Sequence, residues 1–337
     1  MIRDAIKILA ERQDLSADQM QQVMTEIFSG STATADIIAF LTSLNEKGET
    51  VEELTAAVKA MLAYVDPIIV DKPHILDTCG TGGDQKGTFN ISTITAFVAS
   101  GAGVTVAKHG NRSVSSRCGS ADLLEALGVA IAMEKQTIKQ CLQEIGIAFL
   151  FAPNLHPVMK HVMPARKQIA GKTLFNILGP LINPARATNQ LVGVYSRHWQ
   201  EPLAHVLHNL GTEHALVVHG KDGLDEVTTT DATYIYECNA GKFSDFELIP
   251  EDFGFKRSRI EDLVSHDIAQ NTRIACEVLQ GKHSPHRDIV VLNAGCAIFT
   301  ANKASTIKEG IALARESIDS GKALGKLELL KKYSQQK

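Results

Sequence analysis

The sequence lacks the features that mark several large protein classes. No run of 18 apolar residues is free of charge, so no membrane-spanning helix is expected. The first twenty residues carry Arg3, Asp4, Lys7, Glu11, Arg12 and Asp14 and no apolar core of a signal peptide. No basic block stands outside the last dozen residues and the formal charge is -4, which excludes a duplex-binding surface as the expected role. The six cysteines, Cys79, Cys118, Cys141, Cys238, Cys276 and Cys296, form no C-x-x-C pair and are expected as free thiols of a cytoplasmic protein. His205 and His208 could share a helix face. Without an H-E-x-x-H motif, however, the twelve histidines are expected as surface or core residues rather than zinc ligands. Internal repeats and low-complexity segments are absent. What remains is an ordinary globular composition, 44% apolar and 21% charged, in a chain of 337 residues.

Two textures divide the chain. Up to Asp66-Pro67 the pattern is helical only. Ser16 with Gln19 and Thr50 with Glu53 form capping-box pairs, Thr34 is a candidate cap, and Gly30 and Gly48 stop the helices they follow. From His74 onward strands alternate with helices. Strands are expected at 75–77, 104–107, 147–151, 191–195 and 215–218, with a hairpin at 234–248 turning on Asn239-Ala240-Gly241. Helices are expected at 92–100, 120–128, 136–145, 156–169, 200–210, 266–280, 286–299 and 306–332. Such alternation implies a largely parallel, helix-covered sheet.

Sites in such sheets lie where strands give way to helices, and three unusual loops have that position. Gly80-Thr81-Gly82-Gly83-Asp84 lets backbone N–H groups approach an anion. It is neither a Walker A loop nor a dinucleotide fingerprint, since no G-K-[ST] follows and Gln85 stands at the sixth position. In Thr88-Phe89-Asn90-Ile91-Ser92-Thr93 a helix begins, and its N–H groups, hydroxyls and dipole suit a phosphate. In Lys108 to Ser116 two cations, an amide and three hydroxyls crowd a strand exit. Asp225 and Glu226, expected to be exposed at another strand end, add the carboxylates that magnesium prefers. Together these loops imply a magnesium-dependent enzyme acting on a phosphorylated, pyrophosphorylated substrate.

The wording of the loops is more specific still. GTGGD, TFNIST, AKHGNRSVSS, GSADLLEALG, FAPNLHPVMKHVMPAR, FNILGPLINPA and DGLDE occur in this order, and from about residue 1 to 330 the chain resembles the anthranilate phosphoribosyltransferase family. That resemblance implies transfer of the 5-phosphoribosyl group from phosphoribosyl pyrophosphate to the amine of anthranilate, releasing pyrophosphate, in tryptophan synthesis. The implied fold is α/β: a small all-helical domain plus a large α/β domain with a mostly parallel, helix-covered sheet, as in the nucleoside phosphorylase-like phosphoribosyltransferases. The helical domain is expected over 1–70, rejoined by a segment near 160–185, and the α/β domain over 71–159 and 186–337. A homodimer joined through the helical domain is implied, and an excess of apolar positions on four short helices agrees with it.

By the same resemblance, the donor contacts are Gly80, Gly83, Asp84, Thr88, Asn90, Ile91, Ser92, Thr93, Lys108, His109, Gly110, Asn111, Arg112, Ser113, Val114, Ser115, Ser116 and Ser120. The anthranilate path is lined by Gly80, His109, Asn111, His156, Arg166 and Pro180, and Mg2+ is held by Ser92, Asp225 and Glu226. Lys108, His109 and Arg166 are the candidate catalytic residues; Arg166 would pair with the anthranilate carboxylate, and His109 would accept a proton or orient the amine. On a single helix over 156–169, His156 and Arg166 are about 2.8 turns apart and would both face the cleft. Gln85, Cys118, Leu155, Lys172 and Ile182 depart from the family's commonest wording. A pyrimidine nucleoside phosphorylase-like enzyme and a non-catalytic binding paralogue are the alternatives. GTGGD and DGLDE favour a pyrophosphorylated donor over the first, and the intact loops and charge of -4 oppose the second.

Overall fold

The computed structural model describes residues 1–113 and 118–336. Four helices open the chain: α1 (Ile2–Ala10), α2 (Ala17–Phe28), α3 (Thr34–Lys47) and α4 (Val51–Leu62). Both capping boxes form. The Ser16 hydroxyl accepts the Gln19 N–H at 3.3 Å while Gln19 Oε1 accepts the Ser16 N–H at 2.9 Å, and Thr50 and Glu53 make the same exchange at 3.2 and 2.9 Å. Thr34 is not a cap; it is the first residue of α3, and Ala33 occupies the cap position with no side-chain bond.

Seven strands follow: β1 (Ile75–Asp77), β2 (Thr105–Gly110), β3 (Ile147–Phe151), β4 (Asn189–Gly193), β5 (His214–Gly220), β6 (Thr233–Asn239) and β7 (Lys242–Leu248). They form one sheet in the order β3-β2-β1-β4-β5-β6-β7. The first five run parallel, and the β6–β7 hairpin adds two antiparallel strands at the edge. The chain therefore leaves β1 for β2 and β3 on one side, then returns to β4 on the other. The crevice at the C-terminal ends of β1 and β4 is the switch point where such sheets bind ligands.

Side chains alternate across the pleat and sort two cores. Leu191, Leu216, Val218 and Ile235 join one cluster with α5 (Ile91–Gly101) and the almost wholly buried helix Pro285–Thr300. Val192, Val194, Ala215, Val217 and Cys238 join the other, with helix Gln200–Asn209, helices α1–α4, and Val162, Ala165, Leu174, Phe175, Ile177, Leu178 and Leu181. Much of the apolar surface of α1–α4 is thus covered within the chain; Ile6, Ile8, Ile38 and Val51 stay partly exposed.

Several expected elements differ. The helix expected over 156–169 is two short pieces, Pro157–His161 and Met163–Arg166, preceded by a separate turn at Ala152–Leu155. Pro157 is the first residue of one piece and Pro164 the second of the next, and neither has the N–H that would continue the turn before it. The turn-counting that set His156 and Arg166 on one face therefore does not apply. The helix expected over 306–332 is two, Ile307–Asp319 and Lys322–Ser334, divided by Gly321 at φ +76°. The helix expected over 136–145 runs as α-helix only to Gln140 and continues as a π-turn to Ile145. β2 extends beyond its expected end at Ala107 to include Lys108, His109 and Gly110, because parallel pairing with Phe149, Leu150 and Phe151 overrides their weak strand preference.

A buried amide ties the switch point together. Asn183 donates to Asp77 Oδ2 and to the Ala107 carbonyl, both at 2.8 Å, and accepts the Ala185 N–H at 2.9 Å. Asp77 Oδ1 accepts the His109 N–H at 3.1 Å, which locks β1 to β2. Asn183→Ala strands a fully buried carboxylate and a carbonyl. It is expected to cost roughly 2–4 kcal/mol in denaturant unfolding with the slope unchanged; a cost below about 1 kcal/mol contradicts this role.

Candidate active site

The glycine loop leaves β1 and crosses β4 at the switch point. Thr81 donates its N–H to the Gly193 carbonyl at 2.8 Å, and a Cβ at Gly193 would collide with the Asp225 carbonyl. Gly193 therefore lets the Gly80–Asp84 loop, β4 and the Asp225 turn close on one another. Gly82 and Gly83 take φ of +63° and +85°, open to glycine at little cost. Asn90 is the N-cap residue of α5, so Ser92 and Thr93 stand in its first turn, where N–H groups lack helical partners.

Lys108 and His109 are consecutive on β2 and project to opposite sheet faces. Lys108 is buried; its ammonium donates to the Thr78 carbonyl at 2.7 Å and to Ser92 Oγ at 3.3 Å, setting a positive charge beneath the start of α5. The His109 ring lies on the other face. Its Nδ1 is 3.1 Å from the Gly179 carbonyl and its Nε2 is 3.1 Å from His156 Nε2. A carbonyl only accepts, so His109 Nδ1 carries the proton and His109 Nε2 accepts from His156. That arrangement leaves His156 Nδ1 as a buried acceptor without a partner. Burial, then the neighbouring His156, pulls His109 down to about 3, and burial pulls His156 down to about 4, so both rings are neutral. Pro180, next to Gly179, gives its carbonyl to Gln190 at 2.7 Å.

The acidic turn faces the glycine loop. Asp225 and Glu226 are half-buried rather than exposed as expected, because the turn folds under the loop. Burial, then the facing Asp84, pushes Asp225 up to about 7; burial, then Asp225, pushes Glu226 well up. Gly82 N–H bonds to Asp225 and Ser92 N–H bonds to Glu226, while Asp84 Oδ2 is buried without a partner. Asp84, expected among the donor contacts, thus belongs to this acidic cluster as well. Crowded carboxylates, with one oxygen of Asp84 unpartnered, beside N–H groups fit a cation that takes a few carboxylates and fills its shell with water or phosphate, as Mg2+ does. Among the described residues the tighter trio is Asp77, Cys79 and His109, whose ligand atoms lie within 4.8 Å of one another. It offers no free ligand: both Asp77 oxygens and both His109 nitrogens are bonded, and burial keeps the Cys79 thiol protonated.

The remaining expected residues divide. Asn90 gives its side-chain N–H to the Cys118 carbonyl at 3.0 Å, and Thr88 bridges to Val264. Gly110 closes β2, and Asn111 Oδ1 accepts the Arg112 N–H at 2.7 Å. Ser120, first in α6 (Ser120–Ala126), donates to the Asn111 carbonyl at 3.2 Å. Ile91 is core. Arg112 is turned away to Asp122 and Glu125 at 3.0 and 2.5 Å. Asp122 also takes the Ser113 and Gly119 N–H groups. Val114, Ser115 and Ser116 lie outside the described residues. Arg166 is half-buried over the Phe175 ring and forms no ion pair among the described residues; burial lowers its pKa.

Sequence reading missed the amides behind the site. Asn271 accepts the Asn90 N–H at 2.9 Å and donates to Ser265 at 2.8 Å. Asn293, on the buried helix, accepts the Val227 N–H at 3.0 Å and donates to the Val227 carbonyl at 2.7 Å, splinting the residue after Glu226. An amide inside the apolar run Val290 to Ile298 is the signal that could have found it.

Because Asp225 and Glu226 hold protons more tightly than free carboxylates, protons compete with a cation. Apparent Mg2+ affinity, measured by calorimetry, is expected to rise several-fold between pH 6 and pH 8, with proton release that shrinks over the same range. A pH-independent affinity without proton release places the cation elsewhere.

Comparison with known proteins finds matches across both parts of the chain. Residues 3–65 match the glycosyl transferase family helical bundle domain, and residues 72–324 match the glycosyl transferase family a/b domain. The anthranilate phosphoribosyltransferase of Clostridium kluyveri is 47% identical over 334 residues, covering 99% of this chain and all of the relative. The crystal structure of the Thermus thermophilus enzyme superposes with a TM-score of 0.94 at 40% identity, covering 99% of this chain and 100% of that one. The Saccharomyces cerevisiae enzyme in complex with phosphoribosyl pyrophosphate and Mg superposes at 0.90 with 31% identity, covering 99% and 97%. Its complex with 4-fluoroanthranilate superposes at 0.89 with 30% identity over the same shares. Agreement at close to half of all positions, end to end and through both domains, makes this chain a member of the anthranilate phosphoribosyltransferase family.

Proposed function

We propose the following division of labour for the reaction of this family, transfer of the 5-phosphoribosyl group from phosphoribosyl pyrophosphate to the anthranilate amine in tryptophan biosynthesis. The observation that carries it is the pairing, at one switch point, of an N–H-lined glycine loop with an acidic turn whose carboxylates are held half-buried. Gly80, Gly83, Ser92, Thr93 and Asn90 form the cradle for the donor's phosphates, and Lys108 supports it from below with fixed positive charge. Asp225, Glu226 and Asp84, with Ser92, would hold Mg2+, which when bound neutralises charge on the departing pyrophosphate.

On the acceptor side, Arg166 takes the anthranilate carboxylate; a half-buried guanidinium with no ion pair among the described residues suits that role. The neutral His109–His156 pair orients the acceptor. Both His109 nitrogens are already committed, so His109 acts by position and not as a base. Aromatic amines are neutral near pH 7, so attack on C1 of the ribose needs no prior deprotonation, and catalysis rests on alignment and charge stabilisation.

Loss of anthranilate fluorescence on adding phosphoribosyl pyrophosphate with Mg2+ is the direct assay; no loss at micromolar enzyme refutes the reading. Arg166→Ala is expected to raise the anthranilate KM about ten- to a hundredfold and leave the donor KM within about threefold. The reverse pattern assigns this segment to the donor. We also propose a homodimer through the helical domain, using the partly exposed Ile6, Ile8 and Ile38. Light scattering is expected to give twice the chain mass, and a strict monomer at micromolar concentration contradicts it.

A further inference from the structure

Lys172 touches three parts of the molecule that sequence reading kept separate. It sits in the segment that returns to the helical cluster, directly before Thr173, the N-cap of helix Leu174–Leu178. Its ammonium donates to the Gly83 carbonyl at 3.1 Å, inside the glycine loop, and lies 2.9 Å from the centre of the Tyr195 ring beyond β4. Tyr195 is held in turn: its N–H bonds to Thr81 Oγ1 at 3.2 Å and its hydroxyl accepts from the Trp199 indole at 2.9 Å. Gly83 has no Cβ to obstruct this contact; one built there would stand 3.1 Å from the Lys172 Cε and Nζ. Among the described residues Lys172 forms no ion pair, although Asp84 and Asp225 are close enough to act on its charge.

Beyond Lys172 the path continues without a gap. Thr173 N–H bonds to Asn176 Oδ1 at 2.9 Å, closing the cap of helix Leu174–Leu178. That helix runs into Gly179, whose carbonyl accepts the hydrogen bond from His109 Nδ1. One ammonium therefore joins the loop on the donor side to the short helix that orients the histidine pair on the acceptor side.

We propose that Lys172 is a positioning residue that couples the two substrate sites, transmitting the placement of the glycine loop to the Gly179–His109 contact. This rests on the functional reading above. The lysine stem spans the gap between segments, and the charge makes the carbonyl contact and the ring contact strong enough to hold a loop of positive-φ residues in one conformation. In thermodynamic terms, donor binding tightens acceptor binding, and Lys172 carries that linkage.

The test compares wild type, Lys172→Met, which keeps the stem but not the charge, and Lys172→Arg. Affinity for anthranilate is measured by calorimetry with and without phosphoribosyl pyrophosphate in Ca2+, chosen to hold the donor without turnover. Wild type is expected to show tightening of about five- to fiftyfold; Lys172→Met is expected to bring the ratio close to one, and Lys172→Arg to restore most of it. Hydrogen exchange is the second readout: Lys172→Met is expected to speed exchange of amides 80–85 about tenfold or more, with α2 unchanged. A ratio in Lys172→Met equal to wild type, or no tightening in wild type, overturns the coupling. Faster exchange throughout the chain makes the lysine merely structural and also overturns it. If wild type fails to transfer phosphoribose at all, the functional reading falls, while the exchange result still decides whether Lys172 holds the loop.

Discussion

Everything at this site depends on like charges gathered where backbone N–H groups are plentiful. Asp84, Asp225 and Glu226 meet under the ends of β1 and β5, and burial together with mutual repulsion raises the affinity of Asp225 and Glu226 for protons. The strain is relieved in part by the N–H groups of Gly82 and Ser92, the same donors that a phosphate would use. A divalent cation held by these carboxylates would ease their repulsion and leave the N–H groups free for an anion.

The sheet order makes this meeting possible. Because the chain reverses direction across the sheet between β1 and β4, the loops after β1 and β4 diverge and leave a crevice, and Gly193 permits the acidic turn to close over it. Rigid support comes from buried amides rather than ion pairs. Asn183 and Asn293 each hold a backbone group next to a site residue, and Asn271 holds the N–H of Asn90 itself. An amide can donate and accept at once without the desolvation cost of a buried charge, which is why it suits a splint.

The bundle helices, the alternation of strands with helices and the glycine-rich loop at the switch point were legible in the sequence, because capping pairs, periodicity and glycine density are local signals. What was not legible depends on contacts made by distant residues. Lys108 and His109 read as loop, yet pairing with Phe149 and Leu150 makes them strand and sends their side chains to opposite faces. Two prolines cut the helix expected to carry His156 and Arg166. The ion pairs of Arg112, expected at the donor, with Asp122 and Glu125 of α6 could not be read from its loop. Asp225 and Glu226 were expected in solvent, and only the closure at Gly193 shows why they are not. Lys172 stood out in sequence only as a departure from common wording; its contacts emerge from a fold that brings residue 172 beside residue 83.

We propose that the acidic turn, and not the tighter Asp77–Cys79–His109 trio, receives the metal. A crystal of this chain grown with phosphoribosyl pyrophosphate and Mn2+, examined by anomalous scattering, decides between the two. Anomalous peaks are expected at bonding distance, about 2.0–2.3 Å, from carboxylate oxygens of Asp225, Glu226 or Asp84, with donor phosphate oxygens completing the shell. A peak bonded to Asp77, Cys79 and His109, with the acidic turn empty, would contradict it.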